Sequence, residues 1–374
     1  MRSLSLLLVL GAVAAAQIPP PPLPTVGEEA PHLFHGALGT VTARWIQGGA
    51  VKERRFGKGR PIVLPEFRHL LGERLVLETH TPPPSTWPMP KRLLAISDME
   101  GEYVRMRTFL RNHGVIDSKS RWSFGKGHLV CVGDMVDRGT HVTETLWLLH
   151  RLEREARKAG GRLHFVLGNH EAMMMGGDVR YTAPKYAVVA QKLGITIPGL
   201  LGADTEIGRW LRQQNAIVRI GDVVFVHAGL APDLVRRGFD YDKLNALIRG
   251  GLGTPPAKLS PAAQVLMWGR YGPLWYRGYF PAFAATFGPT PTEGQLTAVV
   301  KRLKAKMIVV GHTKVEKVGF VDPGKKVLAI DTTWTKDSIA RGVLIEKDRL
   351  RILSLTRESK VIPRPGKPAP KRVP

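Results

Sequence analysis

The chain of 374 residues is 43% hydrophobic and 23% charged, an ordinary globular balance with apolar material for one large core or two smaller ones. A single cysteine, Cys131, excludes an internal disulfide, and its setting in Leu129-Val130-Cys131-Val132 reads as a small buried side chain. Formal net charge is +24, from 55 basic and 31 acidic residues, which steers anionic partners inward. The charge is spread widely and no nucleic-acid-binding motif accompanies it, so the expectation is a general preference for anions without a specific nucleic-acid partner.

At the start, Arg2 precedes the apolar run Leu4 to Ala16, which closes on Ala14, Ala15 and Ala16. A charged residue, a short apolar stretch and a small-residue end predict a signal peptide over 1–16, and hence a periplasmic or secreted protein. The run is short for a bilayer span, and no later segment is long and apolar enough, so no transmembrane segment is expected. Residues 17–30, built around Pro19 to Pro24, read as a proline-rich tether. Short β-prone runs with Gly turns predict a small β-rich N-terminal unit over 31–80, and five prolines between Thr81 and Pro90 separate it from the main domain. That domain is expected over 91–355, and 356–374 reads as a basic, proline-rich tail that is disordered from Pro363 onward.

Within the main domain, apolar runs alternate with amphipathic stretches. Arg92 to Ile96 ends in Ser97-Asp98, and Leu129 to Val132 ends in Gly133-Asp134. The segment His141 to Lys158 carries Val142, Leu146, Leu149, Leu152 and Ala156 at helical spacing. Leu163 to Leu167 then ends in Gly168-Asn169-His170-Glu171, Val223 to Val226 in His227, and Met307 to Val310 in Gly311-His312. This alternation predicts an α/β fold, a two-sheet β-sandwich flanked by helices on both outer faces. Polar residues recur where an apolar strand stops, which is where open α/β architectures bind ligands.

One such residue would be an ordinary turn former. Asp98, Glu100, Asp134, Asn169, His227 and His312 together are oxygen and nitrogen donors suited to borderline or hard divalent ions. Glycines beside them allow close backbone approach.

The blocks Asp98-Met99-Glu100-Gly101, Gly133-Asp134-Met135-Val136-Asp137-Arg138-Gly139, Gly168-Asn169-His170-Glu171, Val226-His227-Ala228-Gly229 and Val310-Gly311-His312-Thr313 stand in the order seen in calcineurin-like metallophosphoesterases. The paired GDxVDRG and GNHE motifs resemble the phosphoprotein phosphatase branch, and within it the bacterial Shewanella-like phosphatases. The resemblance implies two divalent ions bridged by Asp134. Asp98 and Glu100 would hold one, and Asn169, His227 and His312 the other, with a hydroxide generated between the ions attacking phosphorus in line. It also implies His170 as the general acid, Asp137 as its carboxylate partner, and Arg138 as a forked phosphate ligand, with Asn169 beside the phosphate. A second phosphate-binding arginine is expected from the aromatic segment Met267 to Arg277, either Arg270 or Arg277. Glu171 reads as a helix cap.

The family's usual Asp-x-His-Gly is here Asp98-Met99-Glu100-Gly101. A carboxylate in place of an imidazole hardens that site and favours Mn or Mg over Zn or Fe. The expected activity is metal-dependent hydrolysis of a phosphomonoester on a protein or a small molecule. Two alternatives stand beside it: a symmetrical dinucleoside tetraphosphate hydrolase, which resembles the same motif pair, and a binding protein whose altered metal site no longer catalyses.

Overall fold

The structure, a computed structural model, describes residues 24–356 and 359–365. The expected signal peptide, most of the tether and the end of the tail lie outside the described residues.

The strands are β1 (Glu29–His35), β2 (Val41–Gln47), β3 (Ala50–Phe56), β4 (Thr86–Trp87), β5 (Leu93–Ile96), β6 (His128–Val132), β7 (Arg162–Val166), β8 (Ile217–Ile220), β9 (Val223–Val226), β10 (Met307–Val310), β11 (Gly319–Phe320), β12 (Val327–Ala329), β13 (Arg341–Ile345), β14 (Arg349–Ser354) and β15 (Ser359–Pro363). They form a small sheet β1-β2-β3 and two six-stranded sheets, β15-β14-β13-β5-β6-β7 and β11-β12-β10-β9-β8-β4. The two large sheets face each other. Leu93 and Ala95 of β5, Val130 and Val132 of β6, and Met307 and Val309 of β10 fill the layer between them. Their alternates Leu94, Ile96, Leu129, Cys131, Ile308 and Val310 turn outward into the helix-covered core. Both faces are buried, which is why these strands read as unbroken apolar runs.

The helix Val142–Lys158 shows how the outer layer is specified. Val142, Leu146, Leu149, Leu152 and Ala156 are all buried, so the periodic stripe is the face that packs on β7. Arg157 and Lys158 complement the dipole of the last turn, and Gly160, at φ 76°, takes the left-handed conformation just beyond it. Among the described residues, no helix is long and apolar enough to cross a membrane.

The N-terminal sheet is docked onto the main domain. Thr143 Oγ1 donates to Glu29 Oε1 at 2.5 Å, Lys185 Nζ lies 2.6 Å from Glu29 Oε2, and Trp147 Nε1 donates to the Pro31 carbonyl at 2.7 Å. Residues 359–363, expected in the tail, instead form the edge strand β15, antiparallel to β14 with Leu350 opposite Ile362. Ile362 packs against the inter-sheet layer, and Pro363, which cannot donate a ladder hydrogen bond, stands at the end of an edge strand where none is needed.

At the ends of β6 and β7 remote from Asp134 and Asn169, one polar pair enters the sandwich. His164 Nε2 and His128 Nδ1 are 3.1 Å apart, under the Trp87 ring of the opposite sheet. Burial, with Arg162 adding to it, lowers the His128 pKa to about 4, and burial likewise holds His164 well below the ordinary imidazole value. At these two histidines the unfolded chain therefore binds more protons than the folded one below about pH 6.5, so their contribution to stability falls as pH falls from there toward 4. His128 alone accounts for up to about 3 kcal/mol of that loss. Thermal unfolding of wild type and His128→Gln over pH 4–7 checks this, the variant being expected to lose less stability on acidification.

Candidate metal and phosphate site

Six parallel strands, three from each large sheet, end on the same side of the sandwich. The residues following β5, β6 and β7 are Ser97-Asp98, Gly133-Asp134 and the Leu167-to-His170 turn, and those following β9, β10 and β12 lead to His227, His312 and Asp331. Hydrogen bonds tie the two sheets together here. The His227 Nδ1 lies 2.9 Å from the Val132 carbonyl, and the His312 backbone N–H donates to Asp98 Oδ2 at 3.1 Å.

The backbone itself is unusual at these turns. Of the ten described non-glycine residues with positive φ, six are Asp98, Glu100, Asp134, Asp137, Arg138 and His312. Left-handed backbone costs a residue with a Cβ and persists where the surroundings impose it, most often at functional sites. Glycine is required at two neighbouring points. A Cβ on Gly168 would sit 2.1 Å from Asp134 Oδ1, and one on Gly311 2.0 Å from Ser97 Oγ.

Asp134, His227 and His312 bring one ligand atom each within 4.8 Å of one another. His227 Nε2 lies 3.1 Å from Asp134 Oδ2, 2.9 Å from Asn169 Oδ1 and 3.2 Å from His312 Nδ1. Pairing of His227 Nδ1 with the Val132 carbonyl leaves Nε2 facing this cluster, the tautomer a metal ligand needs. Burial opposes charge on Asp134, yet His227 and His170 hold its carboxyl well below the usual range. Burial and the neighbouring His227 keep His312 well below the ordinary imidazole value, hence neutral.

Beside the cluster, His170 Nδ1 lies 2.8 Å from Asp137 Oδ2, and Thr182 Oγ1 donates to Asp137 Oδ1 at 2.7 Å. His170 Nε2 points back to the cluster, 3.8 Å from Asp134 Oδ2. Burial alone would lower the His170 pKa, but Asp134 and Asp137 raise it above the ordinary value. Tyr181 walls this pair, its ring 5.1 Å from the His170 ring and 5.1 Å below the Arg138 guanidinium. Glu171 carries no exposure and accepts from the backbone N–H groups of Gly168, Asp134, Met135 and Val136 at 2.7–3.3 Å. It caps the helix Asn169–Gly176 and pins the Asp134 turn to it.

On the other side, Asp98 is fixed by the Ser97 hydroxyl and the His312 amide. The Glu100 carboxylate is buried and pairs with Arg138 and with Lys314, whose Nζ is 3.5 Å away. Arg105, in contrast, pairs with Glu102 and Asp337. Asp331 adds a carboxylate that the motifs did not reveal. It is 1% exposed and neither oxygen has a hydrogen-bond partner. Burial first, then the Glu100 charge, pushes its pKa up to about 7. Burial and the nearness of Asp331 and Asp134 raise Asp98 well above the usual carboxylate range. Arg277 reaches the site, with Nε 3.0 Å from His312 Nε2. Arg270 is not brought there: it is exposed and rests on the Tyr271 ring at 5.1 Å.

The sequence model of the calcineurin-like phosphoesterases matches residues 91–316, 226 of the 374 residues and every block of the site up to His312. The chain belongs to that family. A crystal structure titled cold-active protein-tyrosine phosphatase, from a psychrophilic Shewanella species, superposes with a TM-score of 0.81 at 33% identity, over 90% of this chain and 99% of that one. Shewanella-like protein phosphatase 2 of Arabidopsis thaliana is 28% identical, over 60% of this phosphoesterase and 66% of the plant protein. A symmetrical bis(5'-nucleosyl)-tetraphosphatase of a Janthinobacterium strain is 29% identical, over only 37% of this chain and 43% of that protein.

Proposed function

We propose that this phosphoesterase hydrolyses phosphomonoesters, with His170 as general acid and an aryl phosphate such as phosphotyrosine as the preferred substrate class. The observation that carries the reading is the Asp137–His170 pair, aimed at a cluster of buried oxygen and nitrogen donors and flanked by Arg138 and Arg277. The donor set fits metal. Three atoms of Asp134, His227 and His312 converge within 4.8 Å, and the buried Asp331 carboxylate has no partner of its own beside three further carboxylates. Buried anions in such number need cations. Asn169, His227 and His312 with Asp134 would hold one ion, and Asp98, Glu100 and Asp134 the other. Two such ions, when bound, make water nucleophilic at neutral pH and draw charge from the phosphoryl oxygens.

The protein's own groups do the rest. Arg138 and Arg277 present forked donors to the phosphoryl oxygens and orient the phosphorus. His170, protonated and held by Asp137, delivers a proton from Nε2 to the leaving oxygen. Tyr181, 43% exposed at the rim, offers a ring on which an aryl leaving group can stack. Similarity to the Shewanella enzyme supports the same substrate class. Similarity to the tetraphosphatase covers little more than a third of this chain, so a monoester is favoured over a dinucleotide. Phosphate release from matched phosphotyrosine and phosphoserine peptides and from diadenosine tetraphosphate tests the assignment. Faster turnover of the dinucleotide would replace it.

Metal choice is part of the proposal. A site built from Asp98, Glu100 and Asp134 has three carboxylates and no imidazole, so Mn or Mg should activate more than Zn. Glu100→His should move the preference toward Zn or Fe, and Glu100→Gln should lower Mn content. Two full equivalents of Mn with undiminished turnover in the Gln variant would leave Glu100 only as a partner of Arg138 and Lys314. Export rests on Arg2 and the apolar run to Ala16. A mature protein beginning at Gln17 in the periplasm or medium is the expected finding, and an intact N-terminus in the cytoplasm contradicts it.

A further inference from the structure

Metal-binding side chains converge a second time, in the seam between the N-terminal unit and the main domain. Glu206 is 1% exposed and is met by three imidazoles. His80 Nε2 is 2.9 Å and His150 Nε2 3.3 Å from its Oε1, while His35 Nε2 is 2.8 Å from its Oε2. The ligand atoms of His80, His150 and Glu206 all lie within 4.8 Å of one another. The four residues come from four segments: β1, the linker before β4, the helix Val142–Lys158 and the helix Glu206–Leu211.

His150 is the telling member. It is 2% exposed and boxed by the rings of Trp147 and Trp210 at 5.3 and 5.5 Å, its Nδ1 has no hydrogen-bond partner, and its Nε2 meets Glu206. At 3.3 Å that contact is longer than an ordinary hydrogen bond, so this buried imidazole is held by one loose polar contact. Its Nε2 faces a carboxylate oxygen that His80 also faces. Burial keeps His150 below its ordinary pKa, and although burial opposes it, the three imidazoles hold Glu206 well below the usual carboxylate range. Neutral imidazole and ionised carboxylate are the protonation states that a metal ligand set requires.

We propose that His80, His150 and Glu206 bind a divalent cation of the zinc class, with His35 orienting the carboxylate through its second oxygen. Ligand atoms about 2.0–2.1 Å from Zn(II) in a tetrahedron stand about 3.3 Å apart, close to the 2.9 and 3.3 Å separations from Glu206 Oε1. A cavity of about 560 Å³ opens on His35, His80 and Glu206 and supplies room for a fourth ligand. Lys58, Arg60, Arg209 and Arg212 line it with Glu78, so the fourth ligand should be an anion that offsets their charge. The ion would tie the N-terminal sheet and the linker to two helices of the main domain.

The test uses the chain with its catalytic centre disabled by His227→Ala, dialysed against Zn(II) in phosphate buffer and assayed for metal per chain. Adding His80→Ala or Glu206→Gln should remove one equivalent relative to His227→Ala alone. Cobalt(II) in place of zinc should give the intense visible bands of a tetrahedral site in His227→Ala, and these should vanish in both double variants. Zn(II) should also raise the melting temperature by several degrees only where the three ligands are intact. Unchanged metal content and unchanged cobalt bands in the double variants overturn the site.

Discussion

Replacing His170 by Asn is expected to leave both metals bound and to lower turnover about 10²- to 10⁴-fold, the usual cost of a lost general acid. The geometry gives the reason. His170 is buried on the helix Asn169–Gly176, its Nδ1 is engaged by Asp137, and Asp137 is held in turn by Thr182, so the ring can offer only Nε2 to a substrate. Asn matches the ring in size more nearly than Ala does and can keep a hydrogen bond to Asp137, but it cannot deliver a proton. The deficit should shrink for p-nitrophenyl phosphate, whose leaving group is a weak base, and widen for an alkyl phosphate. Metal analysis and steady-state rates on the two esters check this. An equal loss on both would take the acid role away from His170.

Asp134→Asn should be more severe, exceeding the 10²- to 10⁴-fold range of a lost general acid. The Asp134 carboxylate and backbone do three things at once. Its Oδ1 accepts the His170 backbone N–H at 3.0 Å, its Oδ2 faces His227 Nε2, and its backbone N–H donates to Glu171. The amide removes the charge that the two proposed ion positions would share and presents an N–H₂ group where an imidazole lone pair or its proton now faces an oxygen. Metal content should fall together with turnover, which separates this variant from His170→Asn. Two retained equivalents of metal would contradict a shared role for Asp134.

Much of this site was legible because its donors follow apolar runs. Val223 to Val226 and Met307 to Val310 are strands over the expected residues, β5 and β6 differ from expectation by one residue at one end, and β7 is displaced by one residue at both ends. Strands buried on both faces leave no alternation to misread, and each stops where a polar residue must face the crevice. Asp331 obeys the same grammar after the apolar Val327-Leu328-Ala329-Ile330, but no glycine precedes it as Gly133 precedes Asp134 and Gly168 precedes Asn169. The partners that set the site's charge were not legible. Glu100 meets Arg138 and Lys314, which lie far from it along the chain and are brought to it by the fold, not by local spacing. Arg270 and Arg277 are equivalent as sequence, and only the fold of the aromatic loop sends Arg277 to His312 and leaves Arg270 in solvent. The seam cluster draws His35, His80, His150 and Glu206 from across 171 positions, and no motif spans such a distance.

The central claim is that this family member hydrolyses phosphate esters with metal held by Asp98, Glu100, Asp134, Asn169, His227 and His312. The direct measurement is phosphate release from p-nitrophenyl phosphate by the purified chain, stripped with chelator and then titrated with single divalent ions. The expected result is no release when stripped and full release restored by Mn or Mg, with Asp134→Asn inactive throughout. Release that survives stripping, or none with any divalent ion, would contradict it.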